Sequence, residues 1–316
     1  MITMDENQKV YILGGGAIGL ALGAFLTLEG RKVLLVHTST PDISQHTVEV
    51  VIADGHDPRH ETVAQVDIVS LSNLQRLDGI IAITTKSYAN DLIAKQLKER
   101  LCRSPIIIMQ NGFGNEKAYQ NAGFEEVYRC ILYSASQKAG PYAVQFKMAK
   151  SSPIGTENGN RDHLKRYVEQ LTTPAFQFHI EDDIYGEVWK KGILNAVFNT
   201  ICPLLEVDNG IFARDQQVAE LASEIIAECV LVANELGIAL EHQPVMDHLL
   251  KMSHGSDGQL ASTLQDIQNN RRTEIDSLNL EIARVAERLS PEVNVVKTKL
   301  LGDLIVLKSR LMRSGQ

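Results

Sequence analysis

A chain of 316 residues is longer than a single hydrophobic core usually grows, so two domains are expected. With 44% apolar and 22% charged residues the composition is globular, which excludes a largely disordered or collagen-like chain. A formal net charge of -8 with no Lys/Arg-rich run argues against nucleic acid, and a polar start with only short apolar runs elsewhere argues against a secretory leader or a membrane span. A cytoplasmic protein is the expectation.

In chain order, Val10–Leu13, Val33–Val36, Val66–Val69, Ile80–Thr84, Ile106–Met109 and Val127–Leu132 are β-branched runs separated by helical patterns. Such alternation predicts a mostly parallel sheet. Ala17–Glu29 is apolar nearly all round, as in a helix packed tightly on a sheet, and Gly30 follows it with C-cap chemistry. Turn formers at Ser39–Asp42 and Asp54–Arg59 flank the apolar run Val48–Ile52 and suggest a hairpin-like insertion. Beyond Asp182 only helical periods remain, at Ile184–Ile201, Val218–Leu236, Ile275–Leu289 and Val295–Leu311. The predicted organisation is therefore α/β: a Rossmann-type doubly wound sheet domain over residues 1–181, followed by an all-α domain over 182–316.

Cys102, Cys130, Cys202 and Cys229 form no C-x-x-C pair, so buried reduced thiols are expected and no metal site.

Gly14-Gly15-Gly16-Ala17-Ile18-Gly19 fits G-x-G-x-x-G directly after the first strand and opens a helix, the context in which that pattern signifies a dinucleotide site. Gly14 permits the turn, Gly16 admits the pyrophosphate, Gly19 lets helix and strand approach, and the N-H groups from Ala17 and Ile18 onward face the phosphates. An acid for the ribose hydroxyls is missing after the second strand, where the chain reads Val36-His37-Thr38-Ser39. That favours NADPH, with NADH still open. The hydroxyls of Thr38 and Ser39 are candidate partners of a 2′-phosphate, and Arg31 and Lys32 are nearby cations that precede the strand.

Lys86 follows the fourth predicted strand and Asn111-Gly112 the fifth, at the edge where doubly wound sheets bind ligands. Each taken singly also fits a bland role, a solvated loop lysine and an ordinary turn. In the second domain Lys191, Asn195 and Asn199 recur at intervals of four residues, hence on one helical stripe among Ile193, Leu194, Val197 and Phe198. Amides mid-helix need partners, which a structural network or a polar substrate supplies. Ser262 with Gln265 also fits a capping box, and Glu274 also fits a helix-terminal acid favoured by the macrodipole.

Taken together these residues resemble the ketopantoate reductase (2-dehydropantoate 2-reductase) family. The resemblance rests on Gly14-x-Gly16-x-x-Gly19, Lys86, Asn111-Gly112, Trp189-x-Lys191-x-x-x-Asn195-x-x-x-Asn199, Ser262-x-x-x-Asp266 and Thr273-Glu274-Ile275-Asp276, in order along nearly the whole chain. It implies reduction of 2-dehydropantoate to (R)-pantoate by NADPH, a step of pantothenate and coenzyme A synthesis, and a helical second domain like that closing 6-phosphogluconate dehydrogenase. By the same resemblance Lys191 protonates or polarises the ketone oxygen and Glu274 is the acid beside it. Asn111, Asn195, Asn199, Asn209 and Ser262 are implied substrate contacts, with Lys86 near nicotinamide and substrate; Lys86, Asn111 and Glu274 also count among the implied cofactor contacts. Two departures stand out: Asn279-Leu280 where the family usually has Asn-Gly, and no arginine after the second strand.

The partner is then a small 2-oxo acid, with a homodimer left open by the apolar helices of the second domain. The alternatives are a reductase of another short 2-oxo acid on the same frame and a non-catalytic dinucleotide-binding module.

Overall fold

The computed structural model describes residues 8–55, 57, 59–100, 102–156 and 159–314. It divides into two compact units, one built from residues 1–110 with 115–184, the other from 111–114 with 185–316.

The first unit runs β1 (Val10–Leu13), α1 (Ala17–Leu28), β2 (Val33–His37), β3 (His46–Asp54), β4 (Glu61–Ser70), β5 (Ile80–Ile83), α2 (Asn90–Glu99), β6 (Ile106–Ile108) and α3 (Lys117–Asn121). It continues with β7 (Val127–Cys130), β8 (Ser134–Lys138), β9 (Ala143–Met148), β10 (Ser152–Gly155), α4 (Arg161–Leu171) and β11 (Phe178–Ile180). Among the described residues these eleven strands join one sheet in the order β11-β10-β7-β6-β5-β1-β2-β4-β3-β9-β8. From β7 to β4 every pairing is parallel, and β7, β6, β5 and β1 are buried on both faces. Alternate residues of β1 serve opposite cores: Val10 and Ile12 belong to the one that includes residues of α1 and α4, Tyr11 and Leu13 to the one that includes residues of α2 and α3.

The sheet as a whole is mixed. The expected insertion is a hairpin in which β3 runs antiparallel to β4, although His56 and Pro58 of its turn lie outside the described residues. β8 to β11 are not apparent in the sequence, because β8 reads Ser-Ala-Ser-Gln-Lys, β9 sets Gln145 and Lys147 among its apolar residues, and β10 and β11 are only four and three residues long. β9 adds to β3, and β8 pairs antiparallel with β9. These two strands curl over α1, where Phe146 meets Phe25 at 5.3 Å between ring centroids. That explains why α1 is apolar all round: it packs on β1 to β4 and is also covered by β8 and β9. Gly30, with φ 71°, terminates the helix as expected.

The second unit contains α5 (Ile184–Leu205), α6 (Ile211–Arg214), α7 (Gln216–Glu235), α8 (His242–Gly255), α9 (Ser262–Gln268), α10 (Asn279–Arg288) and α11 (Val296–Ser314). Ile193, Val197, Ile225, Leu249, Ile282 and Ile305 are all buried in it. The expected helix Ile275–Leu289 is divided: a 3-10 turn at Ile275–Ser277 ends at Leu278, with φ -110° and ψ -105°, before α10 begins. The Ser277 carbonyl that would continue the helix instead accepts the Phe113 N-H at 2.7 Å. All four cysteines are buried, and burial pushes the thiols of Cys202 and Cys229 up to about 12. Among the described residues no helix is long and apolar enough to cross a membrane.

Candidate active site

In the first unit the glycine loop separates the three steric tasks expected of it. Gly14 has φ 124°, and a Cβ there would sit 2.8 Å from the Thr85 nitrogen, so only glycine fits. A Cβ on Gly19 would overlap the Gly14 carbonyl oxygen, so this glycine sets the spacing of α1 on β1. A Cβ on Gly16 would meet nothing within 4 Å, leaving open space above the first turn. Gly16 is the N-cap of α1 and supplies no side chain, so the N-H groups of the first turn, Ala17 and Ile18 among them, are left for an anion. The residues present fit a dinucleotide pyrophosphate at this cradle.

Thr84 fastens the loop to β5, its hydroxyl donating to the carbonyls of Leu13 and Gly14 at 3.1 and 3.0 Å. Lys86 is half-buried two residues further on, at the start of a 3-10 turn. Its stretch is held by a buried amide network: Gln110 Nε2 donates to the Thr85 carbonyl at 2.9 Å and to Asn90 Oδ1 at 2.8 Å, and Asn90 Nδ2 donates back to Gln110 Oε1 at 2.9 Å. Thr38 is half-buried just past β2. Arg31 and Lys32 precede β2, while the loop follows β1, which pairs parallel with β2 from Val10↔Val33 to Leu13↔Val36. Four to five residues of strand, on the order of 15 Å, separate them from the loop, which removes both as phosphate partners.

In the second unit α5 carries Lys191 and Asn195, both half-buried, and Asn199, buried, along one face. Asn199 Oδ1 accepts from Ser262 Oγ and from the Thr263 N-H, both at 2.9 Å. The capping-box alternative for Ser262 is thereby overturned: Ala261 is the N-cap of α9, and the Ser262 hydroxyl is turned to Asn199. Asn209 is fixed by its backbone, its N-H donating to the Gln259 carbonyl at 2.8 Å and its carbonyl accepting from Ser253 Oγ at 2.7 Å. Its buried Oδ1 has no partner among the described residues.

Next to Asn209, the Arg214 guanidinium and the Gly210 N-H hold the Asp208 carboxyl down to about 2. Arg214 bridges Asp208 at 2.8 Å and also pairs with Asp257, tying the turn before α6 to the loop after α8.

Asn111 and Gly112 belong to this second unit and not to the sheet. Gly112, with φ 98°, lies so close to Ser277 that a Cβ would stand 2.5 Å from its Oγ. Phe113 packs on Trp189, ring centroids 4.7 Å apart, and covers Gly192. Glu274 is half-buried ahead of the same turn, its carbonyl accepting both the N-H and the hydroxyl of Ser277 at 3.0 Å. As it opens only a three-residue turn, the helix-terminal reading of Glu274 has little dipole to draw on. Asn199 and Ser262 therefore touch, and Asn111 is joined through its neighbours to the Glu274 turn and to the Lys191 helix. Phe113, Gly192 and Ser277 are supports that no local spacing indicated.

The model of the "Ketopantoate reductase PanE/ApbA" family matches residues 10–159, and that of the same family's C-terminal part matches residues 183–302. A 2-dehydropantoate 2-reductase of Pyrococcus horikoshii is 27% identical over 286 residues, 90% of this chain and 93% of that one. A D-mandelate dehydrogenase structure with NADH and anilino(oxo)acetate aligns with a TM-score of 0.80 at 21% identity, covering 96% of this chain and 99% of that one. A dimeric ketopantoate reductase from Staphylococcus aureus aligns at 0.79 and 17% identity, with the same coverage. With both family models matched in order over most of its length, and with the glycine cradle and the Lys191 helix built as above, the chain belongs to the ketopantoate reductase family of oxidoreductases.

Proposed function

We propose that the chain reduces the ketone of 2-dehydropantoate to (R)-pantoate with NADPH. The observation that carries this reading is the face of α5 on which Lys191, Asn195 and Asn199 follow one another a turn apart, with Asn199 locked by Ser262 and Thr263. Such a face combines one cation with fixed amides, which suits a 2-oxo acid bearing a further hydroxyl.

The nicotinamide supplies hydride when bound. At the carbonyl, Lys191 Nζ stabilises the negative charge developing on oxygen and then delivers a proton to it. Glu274 is the carboxylate assigned to hold that ammonium in register. Asn195, Asn199 and Ser262 orient the substrate's oxygens, while Asn209 Oδ1, which has no partner among the described residues, can accept a hydrogen bond from a substrate hydroxyl. Asn111 and Lys86 are the assigned contacts towards the nicotinamide. For the cofactor, the cradle at Gly16 supports a dinucleotide, and the absence of an acid after β2 supports NADPH over NADH.

A second reading is a reductase of another 2-oxo acid, favoured by the fold shared with a D-mandelate dehydrogenase. A second copy of this chain is the proposed protein partner, since Val296, Leu300, Leu304, Leu307 and Leu311 form an exposed row on α11 and one structural neighbour is dimeric.

The test is loss of NADPH absorbance with 2-dehydropantoate and a panel of other 2-oxo acids, run beside Lys191→Ala. Turnover confined to 2-dehydropantoate and abolished in the variant, with its melting temperature kept, is expected. A peak on another acid selects the second reading. Retained turnover in Lys191→Ala removes the assigned role.

A further inference from the structure

The end of β2 lacks an arginine, but a cation reaches the same place from elsewhere in the first unit. A Cβ on Gly15 would lie 2.8 Å from His37 Cε1, so the glycine loop and the last residue of β2 are in contact. Into this corner comes Lys138, the last residue of β8, whose exposed side chain donates from Nζ to the Gly15 carbonyl at 3.3 Å. The strand register accounts for the reach: Lys138 pairs with Val144 and Ser136 with Phe146, both of which face α1. The face of β8 that carries Ser134, Ser136 and Lys138 therefore runs along α1 and ends at the loop.

The corner is suited to an anion. No carboxylate occurs among Val36, His37, Thr38 and Ser39. His37 is held below its ordinary value, first by burial and then by the Lys138 and His46 charges, so it is neutral near pH 7 and Lys138 brings the fixed positive charge. A 3.3 Å bond to a neutral carbonyl is a weak anchor for an ammonium on a flexible stem, and it can be exchanged for a phosphate oxygen. In a doubly wound sheet the adenosine ribose lies between the glycine loop and the end of the second strand.

We propose that Lys138 is the residue that recognises the 2′-phosphate of the cofactor, taking from β8 the part that a cation just past β2 would otherwise play. The inference rests on the NADPH reading above and names the group that enforces it.

Equilibrium titration of the full chain with NADPH, NADH, adenosine 2′,5′-bisphosphate and adenosine 5′-monophosphate tests it, comparing the wild type with Lys138→Gln and Lys138→Arg. Loss of one charge-assisted contact predicts NADPH and the bisphosphate weakened roughly 10- to 100-fold by Lys138→Gln, NADH and the monophosphate changed less than about 2-fold, and recovery in Lys138→Arg. Equal weakening of NADPH and NADH would place the ammonium on the pyrophosphate and overturn the proposal, as would no weakening at all. Wild-type protein that binds NADH but not NADPH would sink the cofactor reading and this inference together, whereas the first two results leave that reading standing.

Discussion

The ring of Phe113 occupies the space that a side chain on residue 192 would need. A Cβ on Gly192 would overlap the ring at three of its carbons, one residue beyond Lys191 on α5. Trp189, one turn earlier, backs the same ring. The Asn111–Gly114 segment is thus anchored to α5 by an aromatic contact, and to the Glu274–Ser277 turn by the Phe113 N-H. Gly192→Ala is expected to cost about 1–3 kcal/mol of stability through overpacking, and to lower turnover by displacing Asn111. Because the clash is with one ring, Phe113→Leu should relieve part of the cost in the double variant. Thermal melts of the four proteins in that cycle decide it: strictly additive losses would show that the two residues do not compete for the same space.

Asn199 and Ser262 predict an asymmetric pair of effects. Ser262→Ala removes one hydrogen bond and leaves the Thr263 N-H still paired, so about 0.5–1.5 kcal/mol is expected. Asn199→Ala strands both donors beside a buried position, with an expected cost of about 1–3 kcal/mol. Both variants should raise KM for the 2-oxo acid while leaving the dissociation constant of NADPH unchanged. Denaturant unfolding gives the order of stabilities, and a larger loss in Ser262→Ala would contradict this account of which residue holds which.

Asp208 gives a pH signature. Its carboxyl falls from 3.8 to about 2 on folding, first through the Arg214 hydrogen bond and then through the Gly210 N-H. A depressed value means that the stabilisation is complete above the unfolded value near 3.8 and is lost as the pH falls through about 2. Asp208→Asn should therefore melt lower than the wild type at neutral pH, with the gap closing as the pH drops across that window. A gap that persists unchanged at the acid end would mean that the side chain acts through shape and not through charge.

The parts of the site that were legible in the sequence are those written in local spacing. The glycine loop follows from six consecutive residues between a strand and a helix, and the α5 face from a four-residue repeat. Lys138 was invisible because it meets Gly15 across 123 positions, through a strand whose polar residues suggest a loop. The break at Leu278 was likewise hidden, since the apolar period continues from Ile275 to Ala286 while the Ser277 carbonyl is drawn away by a backbone N-H. The capping-box alternative at Ser262 fails for a related reason: the local pattern fits, but Asn199 from another helix takes the hydroxyl.

The glycine loop allows its steric and its binding roles to be separated by three single substitutions. Gly14→Ala forces a side chain into positive φ against the Thr84–Thr85 backbone, and Gly19→Ala drives a methyl into the Gly14 carbonyl; both should lower the melting temperature. Gly16 has φ -77° and ψ -179°, ordinary for alanine, and its Cβ would have no protein atom within 4 Å. Gly16→Ala should accordingly melt within about 1 kcal/mol of the wild type, a cost set by the weaker N-cap. Its methyl would stand in the cradle proposed for the pyrophosphate, so on that proposal NADPH and NADH should weaken together, by at least roughly 10-fold. Calorimetric titration beside thermal melts distinguishes the outcomes: a stable Gly16→Ala protein that binds both dinucleotides normally would show that the open space over the first turn of α1 is not the cofactor's path.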